Sequence, residues 1–336
     1  MAFLSYYARL QKSVGACLFG ALLAALSCTA GASTAGPLNL GSSAVLVLDD
    51  ESGKVLYGKN ADSILPIASI TKLMTAMVVL DARLDPDEMI TVTNDDVDYL
   101  KGSHSRLPVG VSLSRDEMLR LALMASENRA ASSLGRYYLG GREAFVQAMN
   151  AKAVMLGLEG TRFSDSTGLS STNVSTAEDL ARMVRAAHAY PLIREYATTS
   201  NVTAVVGGRQ TAFRNTNGLV MSPDWEIGLS KTGFINEAGR CLVMQTKLAG
   251  RAVVIVLLDS WGRYTRTADA TRIRHWLEVA AGMVVAQPKA AARAVKAKVT
   301  RTSQARTAQA RSSQTPKVKT SSARPKAQSG GRSPSM

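Results

Sequence analysis

Acidic residues are missing from both ends of this 336-residue chain. Neither residues 1–36 nor residues 287–336 contain an Asp or Glu, although they hold two and twelve of the forty Lys plus Arg. Residues 37–286 therefore carry twenty-six bases and all twenty-six acids, and the formal net charge of +14 belongs to the ends. A neutral middle excludes a fold that presents a basic surface to nucleic acid, and no nucleic-acid partner is expected. Histidine is scarce. His104, His188 and His275 stand far apart, and neither H-x-x-x-H nor C-x-x-C occurs. A zinc peptidase is thereby excluded, and no metal or cofactor is expected. No serine sits in a G-x-S-x-G elbow. Of the three cysteines, Cys17 and Cys28 lie in the leading segment, so a chain cleaved after it has no internal disulfide. Cys241, within the apolar run 241–244, reads as a buried small hydrophobe.

What the leading segment does contain is the pattern of an export signal: Arg9 and Lys12, an uncharged apolar run over 14–26, then small residues at 30–32 and 33–35. The run is shorter than the roughly 20 residues of a membrane span. An uncleaved anchor is the other reading, and lipid attachment at Cys28 is disfavoured by the Ala25-Leu26-Ser27 that precedes it. Residues 287–336 combine Lys and Arg with Ala, Ser, Thr, Gln and Pro and contain no aromatic residue. Such a segment buries too little apolar surface to offset its ordering entropy, so a disordered basic tail is expected. It is either a contact for anionic wall material or a membrane surface, or a solvated tail with no dedicated partner.

The neutral middle reads as one domain, 37–286, long enough for a sizeable core. Residues 44–48 and 54–57 around Asp50-Glu51-Ser52-Gly53 predict a hairpin. Pro66 is expected to open a largely apolar helix through Leu73, Met74, Met77, Val78 and Leu80. Capping boxes at Ser114–Glu117 and Ser175–Glu178 head further helices, and others are expected over 130–138 and 142–155. Residues 225–229, 240–247 and 251–258 predict an antiparallel meander, and 265–285 a closing helix with Ile273, Trp276, Leu277 and Ala280 on one face. The expected fold class is α+β, an α/β sandwich: an antiparallel sheet of about five strands flanked by helices, with a helical subdomain between its two halves.

The chemistry-bearing pattern begins at Ser69-Ile70-Thr71-Lys72. Residues three apart share a helix face, so Lys72 can reach the Ser69 hydroxyl. A hydroxyl attacks only when a base takes its proton, and a lysine is a base only when neutral. Bringing its pKa from about 10.4 to near 7 needs roughly 4–5 kcal/mol of desolvation and positive neighbours. S-x-x-K alone is weak, since about one is expected by chance in a chain this long. Ser69 could equally be a helix cap and Lys72 a surface lysine. Company and order raise the case: Ser126-Glu127-Asn128 falls between two helices, and Lys231-Thr232-Gly233 falls at the end of the strand beginning near Trp225. S-x-N recurs at Ser171-Thr172-Asn173, whereas K-T-G occurs once.

S-x-x-K, S-x-N and K-T-G in this order form the set of penicillin-recognising serine enzymes. Through residues 66–77, 124–131 and 231–241 the chain resembles the serine D-alanyl-D-alanine peptidases of the low-molecular-mass penicillin-binding proteins, and within them the D-alanyl-D-alanine endopeptidases. The likeness spans about residues 40–283. It implies an exported, periplasmic enzyme acting on peptidoglycan and trapped by β-lactams. Ser69 would be the acylated nucleophile, Lys72 the general base and Ser126 the proton relay. Asn128, Lys231, Thr232 and Gly233 would bind substrate, and the backbone N–H groups of Ser69 and Phe234 would hold the oxyanion. The chain departs from the carboxypeptidase relatives in two ways. Where they carry a further β-rich domain and an amphipathic anchor helix, the basic tail is expected here, and the chain has Glu127 where a small residue is usual. The second departure, with the 236–240 run, favours endopeptidase over carboxypeptidase. A β-lactamase would add a Glu that activates water, but the candidate Glu159 lacks the Asn that normally follows. A reading from another class is a catalytically silent wall-binding protein that works through its tail.

Overall fold

The computed structural model of the protein describes residues 37–283. The expected signal, the basic tail and the end of the last expected helix lie outside the described residues. In chain order the elements begin with the expected hairpin, β1 (Ser42–Asp49) and β2 (Val55–Lys59). Its turn is held by the Asp49 carboxylate, which accepts from the Ser52 N–H and hydroxyl at 2.9 and 2.7 Å.

Pro66 does not open a helix. It lies in the short strand β3 (Leu65–Pro66), paired with residues 174–175. A 3₁₀ turn, Ala68–Thr71, follows, and helix α1 (Lys72–Asp81) begins only at the lysine. Pro fixes its own φ but does not impose helical geometry on a residue already held in a strand pair. Every residue of α1 from Lys72 to Val79 is buried, as befits a helix apolar all round.

Then come β4 (Met89–Thr91), β5 (Ser112–Ser114), α2 (Arg115–Met124), α3 (Asn128–Arg136) and α4 (Gly141–Met155). The Ser114 box is formed: its hydroxyl accepts from the Glu117 N–H, and Glu117 accepts from the Ser114 N–H at 3.0 Å. Such a cap contributes about 1 kcal/mol. β6 (Val174–Ser175) leads into α5 (Ala177–His188), where the cap is one residue later than expected: Thr176 accepts from the Asp179 N–H. Ser175 is instead paired in the strand. The sequence reading missed α6 (Pro191–Thr198) and the hairpin β7 (Asn201–Val206) and β8 (Arg209–Arg214). That hairpin turns at Gly207-Gly208, both at positive φ, as a two-residue turn requires.

The chain closes with β9 (Glu226–Ile235), β10 (Gly239–Leu248), β11 (Arg251–Ser260) and α7 (Thr265–Ala280). The strand order is β2-β1-β11-β10-β9, antiparallel throughout, so the five-stranded sheet joins both ends of the domain as expected. Both sheet faces are covered. Ala44, Leu46, Val243, Val254 and Val256 face the helical side, while Val45, Val47, Leu242, Val253 and Ile255 face α7. Side chains alternate along each strand, which is why strands buried on both faces read as unbroken apolar runs. Fully burying a Val, Leu or Ile in these rows contributes about 1.5–3 kcal/mol. On α7 the inward residues are Ala270, Ile273, Leu277 and Val279, and Ala280 is exposed, contrary to expectation. Among the described residues β9 pairs only with β10, so its other edge is left for the cleft.

Candidate active site

Ser69 lies in the tight turn before α1. In a 3₁₀ turn residues three apart eclipse one another, which puts Lys72 directly beneath the Ser69 hydroxyl. Nζ of Lys72 stands 2.8 Å from Ser69 Oγ, 2.8 Å from Asn128 Oδ1 and 2.6 Å from the Thr167 carbonyl. Lys72 is fully buried, and burial lowers its pKa to about 7, against an opposing pull from Asp165 and Glu127. Both protonation states fit these contacts. The ammonium donates to all three oxygens; the amine donates to Asn128 and Thr167 and accepts from the Ser69 O–H.

The backbone at Ile67–Ser69 is hemmed in by close approach from two sides. A Cβ on Gly168 would stand 2.0 Å from the Ala68 carbonyl oxygen, and Gly168 has φ +82. A Cβ on Gly233 would stand 2.8 Å from the Ile67 carbonyl and 3.1 Å from the Ser69 nitrogen. β9 therefore passes directly against Ser69 because its residue there has no side chain.

Ser126 joins α2 to α3 in the left-handed region, φ +58, a strain of order 1–2 kcal/mol for a residue with a side chain. Its hydroxyl accepts from Lys231 Nζ at 2.8 Å, and the same Nζ donates to the Thr232 carbonyl at 3.0 Å. Lys231 is buried, and its pKa is well below the ordinary lysine value through burial, then Lys72, then Arg266. The K-T-G residues lie inside β9, not at its end as the sequence suggested: the strand runs on to Ile235. Thr232 Oγ1 donates to Thr216 Oγ1 at 2.6 Å, and Phe234 is half exposed beneath Arg240, whose guanidinium carbon is 4.5 Å from the ring centre.

Ser69, Lys72, Ser126, Asn128, Lys231, Thr232 and Gly233 are thus brought to one cleft between the α2–α3 junction and β9. Four further groups support them, of which sequence reasoning had marked only Glu127. Asp165 accepts from the Thr167 and Gly168 N–H groups, both at 2.6 Å, and so aims the Thr167 carbonyl at Lys72. Ser103 accepts from Asn128 Nδ2 at 2.8 Å and fixes that amide. Arg266 donates to the Gly233 and Cys241 carbonyls, both at 3.0 Å. Glu127, buried, accepts from Ser105 and from Arg106. The turn-like run Asp165-Ser166-Thr167-Gly168 carried a readable signal for the first; the others depend on contacts distant in sequence. The second S-x-N serves structure: buried Asn173 accepts from Ser164 and Asp165 and donates to Thr71. His104, His275 and Glu159 are exposed, and His188 is half-buried. Cys241 is buried as expected, and burial raises its pKa to about 11. No group of three potential metal ligands occurs among the described residues. A cavity of about 420 Å³ lies beside Asn128 and Thr167, between residues 95–100 and 164–170.

A family model described as D-alanyl-D-alanine carboxypeptidase matches residues 31–261, well over half of the chain. The chain belongs to the D-alanyl-D-alanine carboxypeptidase family. It is 52% identical over 254 residues to a D-alanyl-D-alanine endopeptidase of Pseudomonas aeruginosa, covering 75% of this chain and 81% of the relative. It is 47% identical over 279 residues to the D-alanyl-D-alanine endopeptidase of Escherichia coli, covering 82% and 89%. The crystal structure of the Streptomyces K15 DD-transpeptidase is similar with a TM-score of 0.66 at 30% identity, covering 71% of this chain and 97% of that one. The α+β fold of the DD-peptidases and the serine-peptidase class expected from the motifs are those of this family.

Proposed function

We propose that this family member is a serine DD-endopeptidase that hydrolyses D-alanyl cross-links in peptidoglycan through an acyl-enzyme on Ser69. The observation that carries the reading is the 2.8 Å contact between Ser69 Oγ and a buried Lys72 whose pKa lies at about 7. At neutral pH a large fraction of Lys72 is the free amine, the form that can take a proton.

In the forward direction Oγ bonds to the D-Ala carbonyl carbon as its proton passes to Lys72 Nζ. The backbone N–H groups of Ser69 and Phe234 hold the oxygen that gains charge. The tetrahedral carbon then expels the leaving nitrogen. That nitrogen receives its proton through the Ser126 hydroxyl, which is replenished from Lys72. Lys231 and Thr232 hold a carboxylate of the leaving residue, Gly233 lets the substrate backbone approach β9, and Asn128 bonds the substrate peptide while fixing Lys72. Water next attacks the ester, gives its proton to the amine of Lys72, and releases the acid as Ser69 regains its hydrogen.

The family is described by carboxypeptidase activity, whereas the relatives at 52% and 47% identity are endopeptidases, and this second likeness supports cross-link cleavage. Removal of a terminal D-Ala is the alternative, carried out by the same groups. Incubating the purified protein with cross-linked dimers and with monomeric pentapeptides, and reading the products by mass spectrometry, separates the two. β-Lactams imitate the D-Ala-D-Ala end and acylate Ser69. Ser69→Ala should lose both fluorescent-penicillin labelling and muropeptide cleavage; full labelling of that variant would refute the assignment.

The proposed organisation is a signal peptide over 1–36, the catalytic domain over 37–286 and a basic tail over 287–336. It places the enzyme in the periplasm, in wall biogenesis and cell shape. The tail's charge suits an anionic wall or membrane surface. Deleting 287–336 should leave muropeptide turnover intact while weakening sedimentation with wall material. Turnover by that truncated protein also excludes a purely wall-binding role.

A further inference from the structure

One ion pair joins the two walls of the cleft. Lys101 Nζ meets Glu237 Oε1 at 2.5 Å, across 136 positions of sequence. Lys101 belongs to the loop over residues 98–106, which rests on the catalytic wall: Asp98 accepts from the Leu100, Lys101 and Ser103 N–H groups, and Ser103 accepts from Asn128. Glu237 lies in the turn between β9 and β10, four positions beyond Gly233. Both side chains remain partly open to solvent, 24% and 43% exposed.

The direction of the substrate follows from the strand. Ser69 is level with Gly233. Lys231 and Thr232, which attract the leaving residue's carboxylate, precede that level; Phe234 to Glu237 follow it. A peptide laid along β9 therefore sends its acyl arm toward Glu237. Four positions at about 3.3 Å per residue put the bridge up to roughly 13 Å along this arm, about four substrate residues back from the scissile bond. A small β-lactam ends before that point. A stem peptide attached to a glycan polymer does not, and cannot enter sideways while the two walls are joined.

We infer that Lys101 and Glu237 form a bridge over the acyl-arm end of the cleft that must open to admit polymer-attached stem peptides, and so discriminate them from short ligands. The inference rests on the peptidase reading above. A surface pair of this exposure is weak and salt-sensitive, so opening is cheap and the discrimination is a modest factor.

The experiment compares two acylating probes on the full-length protein: a small penicillin, and the same penicillin tethered through its acyl side chain to dextran. Lys101→Ala and Glu237→Ala should raise the rate with the tethered probe several-fold and leave the small probe's rate unchanged. Raising salt should do the same for the unmodified enzyme but not for the variants. The exchanged pair, Lys101→Glu with Glu237→Lys, should return to the original ratio. An unchanged ratio in both alanine variants would overturn the inference. So would a parallel fall with both probes, which would assign the pair to supporting Asn128. If the unmodified enzyme reacts with neither probe, the acyl-enzyme reading fails and the inference with it. If it reacts but cuts no cross-linked muropeptide, only the endopeptidase assignment fails, and the ratio still decides the bridge.

Discussion

Lys231 and Ser126 are 105 positions apart in sequence, yet Nζ of the lysine stands 2.8 Å from the serine hydroxyl. That contact joins the helical half of the domain to the sheet edge, and orients Ser126 by an Nζ whose one other hydrogen-bond partner among the described residues is the Thr232 carbonyl. Ser126→Ala should reduce acylation by fluorescent penicillin by about 10²–10⁴-fold, the usual range for a lost proton-transfer group. It should also cost about 1–3 kcal/mol of stability, because a buried donor loses a partner. A reduction smaller than threefold would remove Ser126 from the relay.

The acylation rate should rise with pH and reach half its plateau near pH 7, because protonated Lys72 has no lone pair to offer and its pKa lies at about 7. The carboxylate of Glu127 opposes the lowering of that pKa. Glu127→Gln should therefore move the rise to lower pH, whereas a shift to higher pH would contradict the electrostatic assignment. The linked stability has a definite sign. Folded Lys72 titrates near 7 and an ordinary lysine at 10.5, so the unfolded chain binds more protons between these limits. This group's contribution thus favours folding increasingly as pH rises through that window, and its burial penalty is present in full below it.

Gly168→Ala introduces a methyl group 2.0 Å from the Ala68 carbonyl oxygen, at a φ of +82 that L-residues avoid. Backbone cannot yield as a side chain tip can. The strain and overpacking together should cost about 2–4 kcal/mol, read as a lower Tm, and should displace Ser69 enough to slow acylation in the molecules that remain folded.

Arg266 touches none of the reacting atoms in the proposed chemistry; it positions β9 through the Gly233 and Cys241 carbonyls. Arg266→Ala should raise KM more than it lowers kcat, since the substrate-binding edge loosens while Lys72 and Ser69 stay in place. It should also reduce the lowering of the Lys231 pKa, to which the guanidinium contributes. Arg266→Lys, which can keep one of the two bonds, should recover part of the KM. An equal loss in both variants confined to kcat would argue against a positioning role.

Periodicity and capping made much of the scaffold legible. The β1–β2 hairpin, the meander of β9 to β11 and the Ser114 cap all follow from local rules: alternation, turn residues and a serine three positions before a glutamate. The helix start at Pro66 was misread because β3 is a two-residue strand whose partner, residues 174–175, lies over a hundred positions away. The cap at Thr176 was placed one residue early because Ser175, an equally good cap by type, is paired in a strand. Ser69, Lys72, Asn128 and the K-T-G residues were legible through motif order. Ser103 and Arg266 were not, because each acts on an amide or a backbone carbonyl that no local pattern marks; Asp165 was overlooked although its own turn, Asp165-Ser166-Thr167-Gly168, marks it.

The three acceptors around Lys72 come from three separate stretches of chain: Ser69 beside it, Asn128 at 56 positions and Thr167 at 95. No partly organised chain can gather them, and without them the lysine is an ordinary solvated ammonium. The proposed nucleophile is thus inert until the whole domain has closed, so a newly made chain carries no hydrolytic hazard before that moment. A covalent penicillin label accordingly serves as a count of completed molecules, and its stoichiometry during refolding should track the last tertiary step rather than the first appearance of helices.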